Sequence, residues 1–141
     1  MKISVTISAL VYPTESAEKV EAAIKKLFPD AELKLEQRSG FEDRLTGTTA
    51  GSASLEKLHK LLRRQKILDT ARSTFLKSKQ DNVIEFKLNK QVAYIGKVNF
   101  VEEEIALGPI YIRIEAEDID RLVDWLAPLT EDGKPVKEIE L

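Results

Sequence analysis

The sequence predicts an α+β fold: a two-layer sandwich with helices packed on one face of a mainly antiparallel sheet. Three observations lead there. Several segments alternate apolar and polar residues with period two, the mark of a half-buried strand. Three others carry apolar residues at helical spacing. The 141 residues show no repeat, linker or low-complexity stretch, which makes residues 1–141 a single domain.

In chain order, Ile3, Val5, Ile7, Ala9 and Val11 share one face of a first strand, with Ser4, Thr6 and Ser8 on the other. Pro13-Thr14 ends it, and Ser16 is placed to cap a helix running through Phe28, with Val20, Ala23, Ile24 and Leu27 inward. Ala31, Leu33 and Leu35 alternate with Glu32, Lys34 and Glu36 as a second strand. Ser39-Gly40 marks a turn, and the Thr-rich residues 42–50 pair back as a hairpin partner. Ser52 or Ser54 is expected to cap one long helix over residues 55–78, whose inner stripe is Leu55, Leu58, Leu62, Leu68, Ala71 and Phe75. Ile84, Phe86 and Leu88 form the next strand; residues 89–101 read as a helical turn before Gly96 and then an extended piece. Ile110, Ile112, Ile114 and Ala116 line a further strand. Asp118 caps a last helix, with Ile119, Leu122, Val123 and Leu126 buried, and Pro128 ends it. Whether the Asp132-Gly133 turn adds a short strand is left open by the pattern.

Composition narrows the function. Apolar residues make up 43% and charged residues 33%, enough for a core inside a charged shell and too apolar for a disordered chain. No apolar run approaches 18 residues, and the start shows no signal-peptide organisation, so a cytoplasmic protein without a membrane role is expected. With no cysteine, disulfides, thiolate metal sites and cysteine nucleophiles are excluded. The only histidine, His59, sits at the edge of the long helix's buried stripe, and no nucleophile elbow or phosphate loop is present. Glu102-Glu103-Glu104 point to alternate faces, which suits solvation better than shared cation binding. No enzyme activity, catalytic residue, metal or cofactor is therefore expected.

The charge distribution is more telling than its total of -2. Residues 55–97 hold 11 basic and 4 acidic side chains, a net +7; residues 98–141 hold 4 basic and 12 acidic, a net -8. Lys57, Lys60 and Arg64 fall at i, i+3 and i+7 on one helical stripe with Arg63 beside it, and Lys66 and Arg72 extend the charge. Such a stripe suits phosphates; ordinary surface ion pairs between the two blocks are the alternative. Tyr94, between Lys90 and Lys97, offers a ring for a base. Trp125 lies at the margin of the last helix's buried arc, where it either seals the core or meets a partner.

The stretch Arg63-Arg64-Gln65-Lys66-Ile67-Leu68-Asp69-Thr70-Ala71-Arg72 resembles a signature of an uncharacterised archaeal family of predicted RNA-binding proteins. Leu88-Asn89-Lys90-Gln91-Val92-Ala93, Gly96-Lys97-Val98-Asn99-Phe100, Leu107-Gly108-Pro109-Ile110, Asp124-Trp125-Leu126-Ala127-Pro128 and Asp132-Gly133-Lys134-Pro135 match it as well, and so does Pro13-Thr14-Glu15. The resemblance implies a fold similar to a ribosomal protein that binds 5S RNA, and likened to the double-stranded-RNA-binding domain. A sister family is linked to the archaeal exosome. It brings no agreed catalytic residues.

The expectation is thus an RNA-binding domain for structured or double-stranded RNA. Lys57, Lys60, Arg63, Arg64 and Lys66 would contact phosphates, Arg72, Asn89, Lys90, Gln91, Tyr94 and Asn99 would reach hydroxyls or base edges, and Lys97 belongs to the same RNA-binding set. The competing expectation is a structural or protein-interaction module, with Arg72, Asn89, Gln91 and Asn99 serving a polar network or a homodimer contact.

Overall fold

The structure, a computed structural model, describes residues 1–38 and 40–141. Five strands, β1 (Ile3–Val11), β2 (Glu32–Glu36), β3 (Asp43–Ala50), β4 (Val83–Leu88) and β5 (Ile110–Ala116), form one sheet in the order β2-β3-β1-β5-β4. Every pairing is antiparallel. Period-two alternation sets the register: Val5 sits beside Ile114 and Ile7 beside Ile112, which lie in turn beside Ile84 and Phe86. These apolar residues join the side chains of α1 (Ala17–Leu27), α2 (Glu56–Arg64), α3 (Leu68–Ser78), α4 (Lys90–Tyr94) and α5 (Ile119–Leu126) in one core. The opposite sheet face, with Thr6, Thr48, Tyr111, Arg113 and Lys87, stays open to solvent.

The expected caps at Ser16 and Asp118 are present, each accepting the backbone N–H three residues on, from Lys19 and Arg121. Asp132 and Gly133 both adopt positive φ, joining the two-residue strands β6 (Thr130–Glu131) and β7 (Lys134–Pro135) in a tight hairpin. The Ser39-Gly40 turn falls partly on Ser39, outside the described residues. At the sheet edge β2 is only weakly buried, and Leu35 lies exposed rather than inward. Gly47 of β3 has no room for a side chain: a Cβ there would overlap Leu33 Cδ2 and lie 2.7 Å from the Glu32 carbonyl oxygen.

The largest departure from expectation is the helix over 55–78, which is two helices. A 3₁₀ turn over Ser52–Leu55 leads into α2, so neither Ser52 nor Ser54 caps it by side chain; the Ser54 hydroxyl donates to the Gly51 carbonyl instead. Helix α2 then ends at Arg64, with Gln65 as its C-cap, and is stopped by Lys66, which adopts φ 58°. The Lys66 N–H donates to the Arg63 carbonyl and the Ile67 N–H to the Leu62 carbonyl. That bond pair is the left-handed helix stop usually built on glycine. The break lets both apolar stripes face the sheet. At 100° per residue, Leu55, Leu58 and Leu62 point roughly 140° away from Leu68, Ala71 and Phe75 on a continuous helix.

Candidate nucleic-acid interface

The structure sorts the expected basic residues into two sets. Lys57, Lys60 and Arg64 stand exposed on the outer side of α2, and Lys66 stands exposed at the helix break. Among the described residues none of them lies in an ion pair. At 1.5 Å per residue, Lys57 to Arg64 spans about 10 Å of helix axis.

Arg63 belongs to the other set. Its guanidinium uses all five N–H donors inside the molecule. Nη1 donates to the carbonyls of His59 (3.0 Å) and Leu126 (3.1 Å), and Nη2 to that of Trp125 (3.0 Å). Nε and Nη2 grip the Glu138 carboxylate at 2.8 and 2.6 Å. Arg72 likewise donates from Nη1 to Asp124 (2.9 Å) and to the Ala127 carbonyl (3.1 Å). Lys79 pairs with Asp120. Part of the +7 block is therefore folded onto the acidic last third, and the expected solvent-facing Arg63 and Arg72 are instead the anchors of α5 and the tail. Each sits at the rim of its helix, where α5 packs alongside and presents its last carbonyls, which need donors.

Lys90 departs further. It is 3% exposed, and its ammonium donates to the Leu10 carbonyl (2.6 Å), the Leu107 carbonyl (2.5 Å) and Glu15 Oε1 (3.0 Å). Three donors meet three acceptors, and none is left for a ligand. Asn89 accepts the Val92 N–H through Oδ1 as the N-cap of α4, a structural task.

Gln91, Tyr94, Lys97 and Asn99 remain on the surface. What brings two of the predicted segments together is a residue the sequence reading passed over. The Gln65 amide makes a reciprocal pair with the Val98 backbone, Nε2 donating to the carbonyl and Oε1 accepting the N–H, both at 2.8 Å. Gln65 lies between Arg64 and Lys66, and Val98 between Lys97 and Asn99, so the pair joins the two chain segments that carry these three cations, none of which is in an ion pair among the described residues. At the C-terminal end of α4, Lys26 of α1 donates to the Tyr94 carbonyl and stands 4.9 Å from the Tyr94 ring. Tyr94 as a whole is 42% exposed. Lys26 was also missed; its only sequence signal is a basic last turn on α1.

The His59 ring stacks on Trp125 at 4.5 Å and 29°, so Trp125 seals the α2–α5 seam. Burial, reinforced by the Arg63 charge, holds the His59 pKa below its ordinary value against the opposing pull of Glu138. The Arg63 hydrogen bond holds the Glu138 pKa below its ordinary value, outweighing the effect of burial. Among the described residues no cluster of His, Cys, Asp or Glu is arranged to hold a metal ion, and no helix is long and apolar enough to cross a membrane.

A family model described as RNA binding matches residues 4–116, from β1 to the end of β5. A UPF0201 protein of Thermococcus onnurineus is 47% identical over 133 residues, covering 94% of this chain and 97% of that protein. A UPF0200/UPF0201 protein of Archaeoglobus fulgidus is 40% identical over 141 residues, but the chain spans only 41% of its length. Among solved structures, a UPF0201 protein from Methanococcus jannaschii matches with a TM-score of 0.88 at 39% identity, covering 95% of this chain and 99% of that one. A DUF54 protein from Methanothermobacter thermautotrophicus, at 24% identity and a TM-score of 0.61, shares the fold.

Proposed function

Because this chain belongs to the archaeal UPF0201 family and a family model described as RNA binding covers most of its length, we propose that it is a non-catalytic domain that holds structured RNA by its phosphates. The observation that carries the reading is the Gln65–Val98 pair. It ties the segment that carries Arg64 and Lys66 to the one that carries Lys97 without neutralising any of the three, and Lys57 and Lys60 continue the charge along α2. Point charges on a rigid helix and a pinned turn suit a backbone of regular geometry. Readable base-edge groups are few, Gln91 and Asn99 among them, and Tyr94 is a single half-exposed ring. The contacts therefore favour shape and charge over sequence.

The test is affinity for an RNA hairpin across a salt series. Each phosphate contact contributes about 0.7–0.9 to the slope of log K against log salt. Replacing Arg64, Lys66 and Lys97 together by glutamine is expected to flatten that slope by about 2 to 3. An unchanged slope, or no binding by the unaltered protein, overturns the proposal.

A second reading, a structural or interaction module, is supported by Arg72 and Asn89, whose side chains are spent inside the molecule. It is favoured if light scattering shows a defined oligomer that nuclease treatment leaves unchanged.

A further inference from the structure

We propose that Arg63 is an oxyanion site held shut by the C-terminal segment, residues 136–141, and that an RNA phosphate displaces Glu138 from it on binding. The inference rests on the RNA-binding reading and adds a contact that the resting molecule hides.

The site is built independently of its occupant. Three backbone carbonyls, those of His59, Trp125 and Leu126, take three of the five guanidinium N–H groups and fix the plane of the side chain. The two that remain, one on Nε and one on Nη2, point the same way as a parallel fork, and Glu138 fills it. Such a fork fits a phosphate as well as it fits a carboxylate. The Arg63 side chain is 19% exposed, and the stacked His59 and Trp125 rings stand beside it. In that setting the fork is stronger than it would be in open water.

The occupant is held far less firmly than the site. The Glu138 side chain is 51% exposed. Residues 136–141 form neither helix nor strand. Among the described residues two further bonds tether them: the Val136 N–H donates to the Leu129 carbonyl, and Arg121 donates to the Glu140 carbonyl. Val136 and Leu129 are both mostly exposed, and of the segment's apolar side chains Ile139 is the one that is half-buried, so the apolar burial lost on release is mainly that of Ile139.

Position completes the argument. Arg63 lies on α2 next to Arg64 and one turn from Lys60, so the fork borders the row of free cations Lys57, Lys60 and Arg64. The strap also lies beyond residue 116, where the match to the RNA-binding model ends. Glu138 remains ionised well into acid because of Arg63, and it thus holds the fork as an anion throughout the neutral range.

The experiment measures binding of an RNA hairpin across a salt series by the unaltered protein, by Glu138→Gln, and by Glu138→Gln with Arg63→Gln. Hydrogen exchange over residues 136–141 is followed in the free and bound protein. Opening the fork is expected to tighten binding 3- to 10-fold and to steepen the salt slope by about 0.7–0.9, one phosphate's worth. The double variant should lose both gains. In the unaltered protein, exchange at Val136–Leu141 should accelerate when RNA binds. RNA binding with the tail still protected, or an equal gain in the double variant, overturns the strap while leaving the RNA-binding reading standing. Tail release by inorganic phosphate alone at matched ionic strength assigns the fork to a free anion and overturns the proposal too. No binding by any variant overturns both readings.

Discussion

Replacing Lys90 by methionine is the sharpest test of how the α1–α4 corner is held. The ammonium sits among Glu15, the Leu10 carbonyl and the Leu107 carbonyl, almost wholly shielded from water. Methionine fills much of the same volume but leaves the Glu15 carboxylate, among the described residues, with the Tyr12 N–H as its one remaining donor. The two carbonyls lose a donor as well. Removing one partner of a buried pair costs about 3–5 kcal/mol, because the other charge stays behind uncompensated. Unfolding entropy near 2.1 cal/mol/K per residue gives about 0.3 kcal/mol per kelvin for a chain of this length. The expected fall in Tm is therefore about 10–17 °C, read by calorimetry or by circular dichroism at constant pH. Replacing Glu15 by leucine in the same chain should recover part of it, since the stranded charge is then gone. The pair also ties the Leu107-Gly108 turn to the end of β1, and in the single variant that turn should exchange its amides faster. A fall of less than about 3 °C would mean that water reaches the carboxylate, which would refute the closed geometry.

Two further outcomes follow from packing and charge. Gly47→Ala should lower stability by about 1–3 kcal/mol, the usual cost of overpacking, because the nearest obstacles include the Glu32 backbone as well as the flexible end of Leu33; a Tm equal to that of the unaltered protein would show that β2 shifts freely. Acid should weaken the α2–α5–tail seam in two stages. His59 binds its proton less readily folded than unfolded, so stability is complete above pH ~6.5 and falls as the pH drops from there toward the folded pKa. Glu138 contributes above its ordinary carboxyl value of 4.5, and that contribution is lost as the pH falls through its lowered folded pKa. Denaturant midpoints against pH for the unaltered protein, His59→Gln and Glu138→Gln separate the stages, and a His59 titration by NMR centred at or above 6.5 would contradict the first.

The sequence alone determined the layers. Period-two alternation and helical spacing report on one buried face, a local matter of which side chains avoid water, and so β1, β4, β5, α1 and α5 stand close to where they were read. The family signature was legible for the same reason: it is a string of residues. The break at Lys66 was legible only in the step of six from Leu62 to Leu68, which swings the apolar stripe to another side of a helix; a count of apolar residues hides that phase. The fate of the cations was a tertiary matter. Lys57 and Arg63 are both basic residues on one helix, and no local pattern says that the last carbonyls of α5 and Glu138 arrive beside one and not the other. Lys90 looked like surface because lysine usually is, yet chain crossings set two carbonyls and Glu15 around it, and a buried ammonium persists when its three donors are met. Hydrophobic burial is written residue by residue along the chain, whereas the pairing of charges depends on which distant backbone closes over them.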